Sequence, residues 1–94
     1  MLKVSIIVPV VRPEKAARCV EAIRADGCEG VEVIAVEDVD RVGCPRMVAK
    51  LTAMASGEMV MFLGDDTIPQ PGFLRAALDA MATLPDGWAL VCLN

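Results

Sequence analysis

The sequence predicts an α/β fold of three layers, with a mostly parallel sheet of about four strands and alternating helices. Apolar runs rich in β-branched residues alternate with segments whose apolar residues recur every three or four positions. The resulting order is β-α-β-α-β-α-β, and strands joined through helices run parallel by right-handed crossovers. At 94 residues the chain is the length of one domain, so a single domain over 1–94 is expected.

"KVSIIVPV" (3–10) is a continuous β-branched run, as expected of a parallel strand buried on both faces. "RPEKAARCVEAIRADG" (12–27) follows as a helix, with Pro13 and Glu14 suited to its first turn and Gly27 to its stop. Ala16, Val20 and Ile23 fall on its apolar face, and Cys19 adjoins it. "VEVIAVED" (31–38) is a second strand that ends in acid, and 39–43 reads as loop. "CPRMVAKLTAMASG" (44–57) is a helix with an apolar stripe of Met47, Val48, Leu51, Met54 and Ala55. "EMVMFL" (58–63) is the third strand. "PGFLRAALDAMATLPDG" (71–87) is the third helix, with Phe73, Leu74, Ala77, Leu78, Met81 and Leu84 facing inward. "WALVCLN" (88–94) is the fourth strand.

Composition narrows the function classes. A chain that is 55% hydrophobic is not disordered. So high an apolar share means that both sheet faces are covered or that apolar surface awaits a partner. A net charge of -4 argues against a nucleic-acid partner, which wants a basic surface. The four cysteines, Cys19, Cys28, Cys44 and Cys92, form no CxxC pair, and there is no histidine. A zinc site is therefore not expected, and Ser-His and Cys-His catalysis are excluded. The thiols read as reduced and partly buried. The opening apolar run is short, is broken by Pro9 and lacks a cleavage site, so it does not read as a signal peptide. No segment is long enough to span a bilayer. A soluble, cytoplasmic protein is expected.

In open parallel sheets, ligands bind beyond the carboxyl ends of the strands. Pro9 to Arg12, Glu37 to Asp40, and Gly64 to Asp66 all fall there. Two adjacent carboxylates, Asp65 and Asp66, can hold Mg2+ or Mn2+ together with a ligand's phosphates. The same residues also suit an ordinary turn. Glu37 and Asp38 either accept hydrogen bonds from a base or ribose, or are a solvated strand end or a cap. Arg46, at the start of the second helix, either pairs with a phosphate or is a surface arginine. Arg12 and Lys50 have weaker claims of the same kind. The glycine-rich dinucleotide and P-loop fingerprints are absent.

Together these segments resemble the N-terminal half of family 2 glycosyltransferases, which have the GT-A fold. "VSIIVPVVRPEKAARCVEAI" looks like that family's opening strand and helix, and "VEVIAVEDVD" like its second strand, usually written VIVVDDGS. "CPRMVAKLTAMASGEMVMFLGDDTIPQPGFL" is similar to the family's ARNxGxxxAxGexixFLDDDdxPxPgfL. The resemblance implies a Rossmann-like half-domain that binds a nucleotide-diphosphate sugar at a DxD-type site. By the same resemblance, Asp66 is the metal ligand, and Asp65 contacts the ribose or assists the metal. Asp38 or Glu37 recognises the base, Arg46 matches the arginine of ARN, and Pro9 and Val10 line the base pocket with backbone atoms. The cation, Mg2+ or Mn2+, offsets charge on the departing diphosphate.

The chain departs from the pattern in places. "VPVVRP" lacks the usual Tyr-Asn, "EDVD" replaces DDGS, "PRM" replaces ARN, and Gly64 replaces the first aspartate of DDD. The family's acceptor site and catalytic base lie in a C-terminal half beyond this sequence. The expectation is a truncated domain that binds the donor and is incomplete for transfer, with no catalytic residue assigned. The alternative is a noncatalytic binding or assembly module on a nucleotide fold. Self-association through the charge-free C-terminal edge strand, 88–94, is expected in either case.

Overall fold

The computed structural model describes residues 4–27 and 29–82. Three strands and three helices alternate along them. They are β1 (Val4–Val10), α1 (Pro13–Ala25), β2 (Val31–Glu37), α2 (Cys44–Met54), β3 (Met59–Phe62) and α3 (Phe73–Ala82). The strands form one open parallel sheet in the order β2-β1-β3. The strand expected over 88–94 and the helical turns expected beyond residue 82 lie outside the described residues. Among the described residues, no helix is long and apolar enough to cross a membrane.

The most continuous apolar run takes the centre. All seven residues of β1 are buried, whereas β2 and β3 are largely half-buried. β1 pairs with β2 from Val4↔Val31 to Val10↔Glu37, and with β3 only from Val4↔Met59 to Ile7↔Phe62. Successive strand side chains point to opposite faces. Accordingly Val4, Ile6, Val8 and Val10 join Ala16, Cys19 and Ile23 of α1 and Leu74 of α3 in one buried cluster. Ile7 belongs to the other face, and Met47 and Leu51 of α2 are likewise buried outside that cluster. α2 packs against β1.

In α1 the buried positions are Ala16, Cys19 and Ile23, and Val20 is only half-buried. In α3, Leu74 and Ala77 are buried as expected, and Phe73 and Leu78 pack against the cluster. The end of α1 also caps the start of α3. The Asp26 carboxylate accepts the Gly72 N–H at 2.7 Å and the Leu74 N–H at 3.2 Å. Those are amide groups that a helix start leaves without intrahelical partners.

Helix α2 ends at Met54, three residues before the end expected at Gly57. A polar network at the amino end of the sheet draws the chain away. The Ser5 hydroxyl donates to Glu32 Oε1 at 2.7 Å, and the Ser56 N–H donates to the same oxygen at 3.0 Å. The Gly57 N–H donates to Ser5 Oγ at 2.8 Å. Ala55 is therefore extended, with ψ at 138°, and Met54 is left exposed instead of completing the apolar stripe. The Ser56 N–H and then the Ser5 hydroxyl hold the Glu32 carboxyl below its ordinary range. The network leaves no room for a side chain at residue 57. A Cβ there would lie 2.7 Å from the Ser5 nitrogen and 2.8 Å from the Val4 carbonyl carbon, both backbone atoms of the central strand.

Gly57→Ala is therefore expected to destabilise the fold by about 1–3 kcal/mol, the usual cost of forcing atoms into packed structure. A urea midpoint equal to that of the unsubstituted protein would show that β1 can move aside.

Candidate functional site

The carboxyl end of the sheet opens because of a proline. The even-numbered residues of β1 bond to the β2 side: the Val4 N–H donates to Gly30 O at 3.2 Å, and Val10 O accepts the Asp38 N–H at 2.8 Å. The odd-numbered residues face β3, where Ile7 O accepts the Leu63 N–H at 3.1 Å. The next donor toward β3 would be residue 9. Pro9 has no N–H, so it has nothing to donate there. Pairing with β3 stops at Ile7↔Phe62, while pairing with β2 runs on to Val10↔Glu37.

A side chain spans the gap that follows. Asp65 Oδ2 accepts the Val11 N–H at 2.8 Å and the Arg12 N–H at 2.7 Å. Asp65 is buried, with 7% of its surface exposed. Burial alone would raise its carboxyl pKa. The two backbone donors and the Arg12 guanidinium outweigh burial and hold it below the ordinary carboxylate range. Asp66, the next residue, is exposed, and its Oδ2 lies 3.1 Å from Arg12 Nη1. The Thr67 N–H donates to Gly64 O at 3.1 Å, so both aspartates sit in a turn. The turn chemistry expected of "GDDT" is present, and it presents the two carboxylates in different settings. Behind them, burial and then the charges of Asp65 and Asp66 push the Cys19 thiol up, which keeps it protonated and unreactive.

Asp38 organises the loop after β2. Its Oδ1 accepts the Val42 N–H at 2.9 Å, and its Oδ2 accepts the Gly43 N–H at 3.0 Å. The Arg41 N–H closes the turn onto Asp38 O at 3.2 Å. Gly43 has φ +96°, a conformation that favours glycine, and it leads directly into α2.

These ends enclose a cleft of about 190 Å³. Pro9 of β1 contributes with Val11 and Arg12, which follow that strand, and the loop after β2 contributes Asp38. Cys44 and Met47 come from α2, and Phe62, Gly64 and Asp65 from the end of β3. Of the residues singled out from sequence, Pro9, Asp38 and Asp65 thus line one cleft. Asp66 stands beside it through its pair with Arg12. Val10 and Glu37 line a different groove, of about 550 Å³, between α1 and β2. Arg46 is exposed in the first turn of α2 and lines neither. The chain matches no protein-family model and no curated protein. Its function therefore rests on this geometry and on the sequence pattern.

Sequence reasoning ranks Arg46 above Arg12, and at the cleft the order is reversed. The "RP" dipeptide that starts α1 just past a strand end is the signal that could have found Arg12. Phe62, half exposed at the mouth, and Cys44 carried no signal beyond their place at element ends. Among the described residues, no three His, Cys, Asp or Glu side chains are grouped to hold a metal ion. Asp65 and Asp66 each keep one carboxylate oxygen outside the contacts above. A Mg2+ or Mn2+ ion beside them would have to take most of its ligands from phosphate oxygens and waters.

Asp65→Ala strands two amide donors and is expected to cost about 1–3 kcal/mol at neutral pH. Asp65→Asn, which keeps an acceptor oxygen, should cost less. The folded carboxyl titrates below its ordinary value of 3.8. Its contribution to stability is therefore complete above that value and is lost as pH falls through the folded pKa. Urea midpoints at pH 6 and pH 3 should converge more closely in Asp65→Asn than in the unsubstituted protein.

Proposed function

We propose that the rim cleft binds the nucleotide of a nucleotide-diphosphate sugar, in a glycosyltransferase-like domain. One observation carries the reading. In the order β2-β1-β3 the chain passes from β1 to β2 on one side and then crosses over to β3 on the other, and the cleft lies past the carboxyl ends of the strands where that direction reverses. Doubly wound sheets bind their ligands in that place. Pro9, Asp38 and Asp65, three of the positions that the resemblance to family 2 glycosyltransferases implies, line it.

In this reading Pro9 lies along the base and Asp38 accepts its hydrogen bonds, while Val10 and Glu37, which line the other groove, stand outside the site. Asp66, with Asp65, holds Mg2+ or Mn2+, and Arg46 approaches the phosphates from the start of α2. The cation supplies positive charge against the diphosphate. A volume of 190 Å³ is below the roughly 300–1,000 Å³ of small-molecule pockets, so the nucleotide lies across the cleft rather than inside it. The three-layer sheet of about four strands belongs to the same proposal.

A specific observation favours a second reading, a noncatalytic assembly module. Both Asp38 oxygens and one Asp65 oxygen already serve the chain's own backbone. Two copies would then associate through the charge-free segment 88–94.

Calorimetric titration with uridine and guanosine diphosphates separates the two. Binding that requires Mn2+, and that Asp66→Ala abolishes without unfolding the protein, is the expected result. Undiminished affinity in excess chelator would remove the metal from the site. An absence of binding at millimolar nucleotide, together with a dimer in light scattering, would favour the assembly module.

A further inference from the structure

We infer that the outer edge of β2, with the groove that α1 forms beside it, is a docking surface for a second copy of this chain. The two β2 strands pair antiparallel about a two-fold axis and join the two sheets into one. The rim cleft shares no lining residue with this groove, so the inference does not rest on the donor-site reading.

Three observations carry it. The first is an open ladder. β2 has seven residues, and among the described residues only β1 pairs with it. Gly30 O and the Asp38 N–H both bond to β1, so the even-numbered residues of β2 face inward. The N–H and C=O groups of Val31, Val33, Ala35 and Glu37 therefore point away from the sheet. Such an edge is a template for another strand, and proteins that keep it free place lysine, proline or a bulge on it. "VEVIAVE" has neither lysine nor proline, and its register with β1 advances without a break.

The second is a groove on the same side. Val31 and Val33 line a hollow of about 250 Å³ with Ile23 and Arg24 of α1. Ala35 and Glu37 line the larger one, of about 550 Å³, where α1 contributes Val20 and Arg24 among others. Ala35 is exposed, and Val20, Val31 and Val33 are only half-buried. The β2 and α1 of a neighbouring copy bring the apolar surface that this groove lacks.

The third is charge complementarity, and it selects the occupant. All seven residues pair when Ile34 stands opposite its own counterpart. That register sets Val33 against Ala35 and Val31 against Glu37, odd with odd, so the outward N–H and C=O groups meet one another. It also brings Glu37 of the second copy to Val31, where Arg24 lines the groove, and the two-fold axis repeats the contact. Among the described residues, neither Arg24 nor Glu37 has an ion-pair partner in its own copy. No glutamate faces another. Glu32 stands opposite Val36, and its carboxylate stays with Ser5 and Ser56. The surface is thus complementary to itself, as a two-fold pairing requires.

Sedimentation velocity and amide hydrogen exchange over a dilution series of the full chain test the inference. The expected result is a monomer–dimer equilibrium in which the Val33 and Ala35 amides are protected at high concentration and lose protection on dilution. Ala35→Pro removes an outward N–H and leaves the β1 ladder intact, so it should give a monomer that circular dichroism shows to be folded. Arg24→Glu alone, or Glu37→Arg alone, should weaken the dimer about tenfold, since two symmetry-related pairs change sign at once. The two together should restore it. If Ala35→Pro fails to fold, the charge variants decide. A monomer at every concentration overturns the inference. So does a dimer that a folded Ala35→Pro or the charge variants leave unchanged, which moves the association to another surface such as 88–94. Protection of Val33 and Ala35 that ignores concentration overturns it too, because the edge is then covered within one chain.

Discussion

The carboxylate of Asp65, bonded to the amides of Val11 and Arg12, is the contact on which the carboxyl end of this fold depends. Pro9 makes it necessary. Without an N–H at residue 9, backbone pairing cannot carry β1 and β3 any further together. A carboxylate with two amide donors restores the tie at a point where the strands have separated. The separation is also what makes a cleft, since a ladder continuing past residue 9 would close the space that Phe62, Gly64 and Asp65 now border. The amino end of β1 has a tie of the same kind, Ser5 with Glu32 and Gly57. The central strand is thus bound to its neighbours by ladder bonds along its length and by side-chain oxygens at both ends.

Much of the architecture was legible in the sequence because its signals are local. The alternation of strands and helices, the burial of the whole of "VSIIVPV" and the apolar faces of α1 and α3 follow from periodicity within a few residues. The end of α2 was not legible. "TAMASG" continues a helical pattern well enough, and Met54 has the spacing of a core residue. Its exposure is decided by Ser5 and Glu32, which draw Ser56 and Gly57 out of the helix from 24 and 52 residues away. Tertiary hydrogen bonds overrode a sound local signal.

The candidate site shows the same division. That acidic residues would gather past the strand ends followed from the parallel topology alone. What each carboxylate does there did not follow. Asp65 and Asp66 are adjacent and chemically identical, and the sequence pattern set both toward a ligand. In the fold one is buried and fastened to amides 53 and 54 residues distant, and the other is exposed and paired with a side chain. Asp38 likewise accepts amides from its own loop, so a strand-end carboxylate is here an organiser of backbone. The resemblance to a glycosyltransferase half-domain implied a metal role for Asp66 and a ribose or metal role for Asp65, and gave neither a duty to the backbone.

That distinction bears on how a binding rim of this kind can be built at all. A carboxylate that shapes the backbone must stay ionised and stay in place, which favours burial and amide donors. A carboxylate that meets a ligand must remain accessible, which favours exposure and a weak partner. One side chain cannot satisfy both demands. Neighbouring residues in a tight turn can, because the turn directs successive side chains into different surroundings while keeping them close. The Gly64–Thr67 turn does this for Asp65 and Asp66. Arg12 links the two, since its amide serves the buried carboxylate and its guanidinium the exposed one. A change in the charge at the cleft mouth therefore reaches Arg12 through its side chain alone, and the backbone that holds the sheet together does not have to move.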